Sequence, residues 1–246
     1  MLKKEKCLVI NAIRWKDSSK IVTLFCRTDG RIKVIVKGAL RKNSPYGGIM
    51  ETLNLVDTII TDKASRSLQI VADAELVHDF KKIRSVPEQF AYAMAILEVI
   101  NQLFEASHSE TAYFDYLITV LQEMEYFPDP ETVFWYFLLK TSSFLGFKPE
   151  FSRCQACGKE LLNEESLFSL NSGISSCIEC GEQDVSTVVL SASERNFLLK
   201  LQSFPHRNLR NLNRPEIKTD FTSLLVKFLN YHLDKQIHLN SLAFLA

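Results

Sequence analysis

Four cysteines carry the clearest chemistry in the sequence. Cys154 and Cys157 form one Cys-x-x-Cys pair, and Cys177 and Cys180 form a second after 19 intervening residues. Two such pairs can each clamp one side of a tetrahedral ion from a tight turn, and zinc suits this spacing. Gly158 and Gly181 directly follow the second cysteine of each pair, where a glycine is expected to relieve the backbone as its amides turn toward sulfur. Four thiolates close the coordination shell, so the expected role of Zn2+ is structural. A redox site of the thioredoxin type would need a single pair on a βαβ unit. A catalytic zinc would keep an open position and draw on histidine or carboxylate, and the histidines at positions 78, 108, 206, 232 and 238 contain no His-x-x-x-His pair. The other two cysteines, Cys7 and Cys26, stand isolated among apolar residues and read as small core residues.

A second group is defined by charge. Lys37, Arg41 and Lys42 fall in one short polar stretch with Gly38, ending at Pro45. Arg31 and Lys33 precede it, and Arg14, Lys16 and Lys20 could extend the patch. Such cations track phosphates without much sequence preference, and their affinity should fall steeply with salt. Few aromatics accompany them. Trp15, Tyr46 and Phe80 are the candidates for base stacking, with core packing the competing reading for Trp15.

The elements that must position these groups follow from pattern. Residues 7–13, 21–27, 31–37, 53–61 and 68–74 read as short strands, with Thr28-Asp29-Gly30 as a turn. In the third, Ile32, Val34 and Val36 alternate with Arg31, Lys33, Ile35 and Lys37, putting cations on one face and aliphatics on the other. Five short antiparallel strands suit a small closed barrel, with the OB-fold as leading candidate. From Pro87 the pattern turns helical. Ser85 with Glu88 reads as a capping box for a helix over 87–104, and Ser107 with Glu110 as another before a helix to about 126. Asp129-Pro130 supplies an N-cap and first turn for a helix ending near Gly146. Its run from Phe134 to Leu139 is apolar all round, as expected of a central helix. Ser191 with Glu194 caps a helix through about 201, and Pro215 is expected to open the last one, through about 233. The expectation is an α+β multidomain chain: an OB-fold barrel over 1–82, a helical domain over 83–150 and 188–246, and an inserted four-cysteine zinc ribbon over 151–187.

Composition supports this division. The chain has 246 residues and no formal net charge. Residues 1–84 nevertheless carry a net +8, residues 85–153 a net −7 and residues 154–246 a net −1. The basic third points to a polyanion, most simply nucleic acid. Disorder is excluded by the 46% apolar content, and the longest apolar run, Val133 to Leu139, is too short to span a bilayer. No signal peptide is recognisable, so a cytoplasmic protein is expected. No P-loop, dinucleotide fingerprint or nucleophile elbow is present, and no catalytic constellation emerges. A zinc-dependent hydrolase of nucleic acid and a zinc-ribbon adaptor in transcription or RNA handling are the rival classes. The loop with Arg207, Arg210 and Arg214 reads as solvated, with a DNA contact as the alternative.

Taken in order, these features resemble the RecO family of bacterial recombination mediators. The resemblance rests on Lys37-Gly38-Ala39 with Arg41-Lys42, on Gly47-Gly48, on the cysteine quartet, and on Tyr231-His232-Leu233 near the end. It covers nearly the whole chain. Two positions depart from the family pattern: Thr52-Leu53 stands for a usual proline-phenylalanine pair, and Asp234 for a usual glycine. The resemblance implies binding of single- and double-stranded DNA and annealing of complementary strands without nucleotide hydrolysis. It also implies action with RecR and with single-stranded DNA-binding protein to load recombinase, in the nucleoid. Lys140 or Lys148, beside the aromatic helix, could receive the acidic apolar tail of that last partner.

Overall fold

The computed structural model describes residues 2–61, 68–104, 111–205, 209 and 211–245. The Ser107–Glu110 cap, His108, His206, Arg207 and Arg210 lie outside the described residues. Chain contacts divide the molecule into two compact units, residues 1–126 with 238–246 and residues 127–237.

In the first unit, β1 (Leu2–Trp15), β2 (Ser19–Cys26), β3 (Gly30–Val36), β4 (Leu55–Thr61) and β5 (Gln69–His78) close a barrel in the order β1-β2-β3-β5-β4. All neighbours are antiparallel except β3 and β5. This is the OB-fold expected from the strand pattern. The alternation read from the sequence holds: Val34 and Val36 of β3 point inward with Val9, Val22, Leu24 and Val56, while Lys33 is exposed. Gly30 takes φ 64° at the turn into β3, as the Thr-Asp-Gly sequence requires. Cys7 and Cys26 are core residues as expected. Being opposite each other on β1 and β2, with Cα atoms 4.1 Å apart, they also form a disulfide, a pairing for which the sequence carries no local signal.

Among the described residues of this unit, the helices α1 (Lys81–Ser85), α2 (Pro87–Leu103) and α3 (Thr111–Met124) follow the barrel. The helix α1 is not expected from the sequence, and it displaces the expected capping box. Ser85 ends α1 and donates to Lys82 O at 2.7 Å, so the N-cap of α2 is Val86, with no side-chain cap. Pro87 at the first position still starts the helix there. A short 3-10 turn, Ser241–Phe244, is held to α2 by Glu98, whose carboxylate accepts from the Ser241 N–H and hydroxyl.

The second unit holds α4 (Pro130–Phe144), α5 (Ala192–Ser203) and α6 (Phe221–Leu233), with a three-stranded sheet of β6 (Ser166–Ser169), β7 (Ser175–Cys177) and β8 (Thr187–Leu190) ordered β7-β6-β8. Asp129 caps α4 as expected, accepting from the Thr132 N–H at 3.1 Å. Every residue from Phe134 to Leu139 is buried, with Trp135 packed edge-on against Phe221 at 5.1 Å. The capping box of Ser191 and Glu194 is also present. The last helix, by contrast, starts at Phe221 and not at Pro215. Glu194 accepts from the N–H groups of Lys218 and Thr219 at 2.9 and 2.8 Å, which holds that segment out of helix until Asp220 supplies a cap. At the far end of α6, Asp234 occupies the left-handed region (φ 49°), where a glycine carries no penalty. Among the described residues no helix is long and apolar enough to cross a membrane.

Candidate nucleic-acid interface and metal centre

The four cysteines come together as their spacing demands. Their sulfurs all lie within 4.8 Å of one another, and Cys157 and Cys177 Sγ are 4.0 Å apart. Four thiolates about 2.3 Å from a tetrahedral ion sit about 3.8 Å from each other, so the cluster is close to the size a metal needs. Each pair is held by a knuckle. Gly158 N–H donates to Cys154 O at 2.8 Å, and Gly181 N–H to Cys177 O at 3.0 Å. Gly158 has φ +74°, as a turn glycine should. Gly181 serves for a different reason than expected: its φ is not in the left-handed region, but a Cβ there would fall 2.6 Å from Leu167 Cδ1 and 3.1 Å from Ser176 Cβ. Close packing against Leu167 and Ser176, not turn strain, favours glycine at that position.

The electrostatics of the quartet call for a cation. Burial pushes the Cys154 thiol up, but the N–H groups of Cys157, Cys177 and Ala156 outweigh this and hold it at about 6. Cys180, hydrogen-bonded to the thiols of Cys177 and Cys157, is pushed up to about 12. Four sulfurs this close cannot all ionise without a positive charge among them. The donor set is soft and all-thiolate, which fits zinc and leaves no position for a substrate.

Arg195 is the residue near this centre that sequence reasoning misses. It projects from α5, is fully buried, and donates to the carbonyls of Leu161, Leu162 and Glu164 and to Ser166 Oγ. A buried guanidinium spending its donors on ribbon carbonyls fixes the ribbon to α5. No local pattern marks it, because its partners lie about thirty residues away in sequence.

On the barrel, six of the eight candidate cations gather at one end. Arg14 and Lys20 are direct partners across β1 and β2, and Lys20 is in turn opposite Val36 at the end of β3. Lys16 sits in the β1–β2 turn. The basic loop starting at Lys37 is tied to that turn by the Leu40 N–H, which donates to Ser18 O at 3.0 Å. Gly38 has φ +70° and packs against the Arg41 stem. Lys37, Arg41, Lys42, Arg14 and Lys16 are exposed. Lys20 is engaged: its side chain is 12% exposed and pairs with Glu51. Lys33 is exposed midway along β3. Arg31 lies toward the opposite end, beside the start of β3, and donates to Asn101 of α2 at 3.2 Å.

The aromatics separate in the same way. Phe80 is wholly buried, edge-on to His78, and Tyr46 leans on the barrel with its hydroxyl on Ala72 O. Trp15 is not a core residue, against the competing reading. It is half-buried at the end of β1, with Lys16 Nζ 4.3 Å from the ring centroid. In the second unit, Arg214 is exposed, as the solvated reading expects, but its guanidinium is also engaged. It bridges Asp129 and Glu131 and lies over Trp135 at 4.5 Å. Lys140 is half-buried near Tyr136, its amine pushed down by burial and then by the charge of Lys148.

Two profiles of one family span this chain. Residues 1–80 match the one described as Recombination protein O N terminal, and residues 84–242 the one described as Recombination protein O C terminal. The chain belongs to the RecO family. Relatives agree along the full length. The DNA repair protein RecO of Chlorobium limicola is 28% identical over 100% of this chain and 98% of its own. Those of Caldanaerobacter subterraneus subsp. tengcongensis and Exiguobacterium sibiricum are each 25% identical, over 94% and 96% of this chain and 93% and 92% of theirs. Membership of this family of DNA repair proteins matches the expected fold: a five-stranded barrel followed by a helical part that carries the cysteine cluster.

Proposed function

We propose that this chain binds single- and double-stranded DNA at the basic end of its barrel and anneals complementary strands without hydrolysing a nucleotide. With RecR and single-stranded DNA-binding protein it then helps load recombinase onto coated strands, in the cytoplasm at the nucleoid. Residues 1–82 are the DNA-binding domain, residues 83–150 and 188–246 the helical domain, and residues 151–187 the ribbon. Zinc held by Cys154, Cys157, Cys177 and Cys180 is structural in this reading, and the protein is not an enzyme. The observation that carries the proposal is the bond from Leu40 to Ser18, which brings the loop of Lys37, Arg41 and Lys42 to the turn bearing Lys16, next to Arg14 at the end of β1. Cations on one surface neutralise phosphates of two strands at once. That lowers the repulsion between the strands and lets bases find register.

An annealing assay tests this. Two complementary labelled strands are mixed with the protein, without nucleotide, at low and moderate salt. The wild type is expected to accelerate annealing at low salt. A Lys37→Ala, Arg41→Ala, Lys42→Ala variant should lose most of the acceleration, and its binding slope of log affinity on log salt should be shallower by about 2 for a single strand. A folded wild type that neither binds nor anneals DNA would reject the proposal. Tighter binding to RNA than to DNA of equal length would move the adaptor reading forward, since the 2′-hydroxyl is the discriminating group.

A further inference from the structure

A cavity of about 350 Å3 lies beside the basic end of the barrel, lined by His78, Asp79, Lys81, Lys82, Ser85, Glu125 and Tyr126. Its walls are the end of β5, α1 and the residues just after α3, all within the first unit. Because β5 runs parallel to β3, His78 lies toward the same end of the barrel as Val36, where the basic loop begins. The other end of that loop is tied to α1. Arg84 donates to Thr52 O at 2.6 Å and to Asn54 Oδ1 at 2.8 Å, and Asn54 in turn donates to Gly48 O and Ile49 O. The far end of the loop is therefore tied to the helix that forms one wall of the cavity.

The cavity combines three chemistries. Tyr126 presents an aromatic ring that is 53% exposed, with the Lys82 ammonium 3.8 Å from its centroid. Lys81 and Lys82 are exposed cations at the rim. The Glu125 carboxylate, also in the lining, is 4% exposed and hydrogen-bonded to His78 Nε2 at 2.8 Å. The carboxylates of Asp79 and Glu125 turn phosphate away and can accept from a base N–H, such as N3–H of thymine. The lysines do the reverse. An exposed aromatic ring with one face under Lys82, together with exposed cations and a buried acceptor in one cavity, is a binding place for a nucleotide whose base can stack on the other face.

We infer that this cavity receives one unpaired nucleotide of a bound single strand, with its base stacked on Tyr126 and its phosphate on Lys81 and Lys82. The inference rests on the proposed DNA binding by the barrel and adds a place where the protein distinguishes an open strand from a duplex. A paired base is held in its own stack and cannot enter, so the site acts on single strands alone.

The test compares the affinity of the full chain for oligodeoxythymidine and for a duplex of equal length. Tyr126→Ala is expected to weaken single-strand binding about tenfold and to leave duplex binding within twofold, because only an unpaired base can stack on the ring that the substitution removes. Tyr126→Phe, which keeps the ring, should bind like the wild type. In parallel, a strand carrying iododeoxyuridine is photo-crosslinked to the wild type, and the crosslinked peptide is expected to contain Tyr126. Unchanged single-strand affinity in Tyr126→Ala, an equal loss on both DNAs, or crosslinks confined to Trp15 and Tyr46 would overturn the inference while leaving DNA binding by the barrel intact. No binding of any DNA by the wild type would overturn both.

Discussion

The cysteine ribbon and the basic end of the barrel hold their functional groups by opposite means. In the ribbon, backbone bonds to Cys154 O and Cys177 O fix each knuckle, Gly181 is closely packed against Leu167 and Ser176, and Arg195 clamps the carbonyls of Leu161, Leu162 and Glu164. The geometry is over-determined, as a coordination shell requires. At the barrel end, most cations are exposed on long side chains and only the loop backbone is anchored. A polyanion of no fixed sequence needs charge density and not fixed angles. A metal site therefore tolerates no substitution of a ligand, whereas a phosphate surface should lose affinity by degrees.

Removing the metal is the strongest way to break this comparison. Structural zinc contributes an apparent 10–16 kcal/mol to small folded sites, far more than a ribbon of three short strands can replace. Treatment with a strong chelator, or Cys177→Ser, is expected to abolish hydrogen-exchange protection across β6, β7 and β8. The barrel strands β1–β5 should keep theirs. Arg195 makes the loss cooperative, because an opened ribbon leaves a buried guanidinium without its carbonyl partners. If chelation leaves the exchange of the ribbon unchanged, the quartet does not hold a structural ion.

The sequence shows one side of the comparison far better than the other. Cysteine spacing is local, so the quartet, the Asp129 cap and the Ser191–Glu194 box are all visible in single short windows. So is the alternation of β3. Contacts between distant segments are not visible. Ser85 looks like a cap but belongs to α1. Pro215 looks like a helix start, yet Glu194 captures the segment that follows it. The eight candidate cations are equivalent as letters, and only the fold shows that Glu51 has taken Lys20 and Asn101 has taken Arg31. Asp234 falls between these cases. As a departure from the family glycine it marks a turn, and the structure shows the left-handed backbone that turn needs.

Glu194 offers a smaller test of the rigid side. Burial pushes its carboxyl up, but bonds from the Ser191 hydroxyl and from the N–H groups of Thr219, Ser191 and Lys218 prevail and hold it at about 2, below its ordinary 4.5. A depressed carboxyl contributes stability that is fully present above the unfolded value and is lost as pH falls toward the folded one. Glu194→Gln is expected to cost about 2–3 kcal/mol at neutral pH. The gap between variant and wild type should shrink between pH 4.5 and 2. Urea unfolding of both proteins at neutral and acid pH measures it, and since both shed thiolate-bound metal in acid alike, the difference isolates Glu194. A gap that stays constant on acidification would mean that the carboxylate is not the group holding the 218–219 segment.

The smallest effect is expected where the two modes of construction meet, at Lys20. It counts toward the basic end by sequence and position, but its ammonium is paired with Glu51 and its side chain is nearly buried. Lys37 is one residue past the strand position opposite it and is exposed. Replacing each with methionine keeps the apolar stem and removes only the charge. Lys37→Met should weaken single-strand binding severalfold and reduce the salt slope by about 0.7. Lys20→Met should alter affinity less than twofold, because DNA loses no available cation there. Its stability cost should stay below about 1 kcal/mol, the usual range for an ion pair with one partner open to solvent. Equal losses for the two variants would show that DNA draws Lys20 away from Glu51, and the barrel end would then count as a surface whose cations are shared between the fold and its ligand.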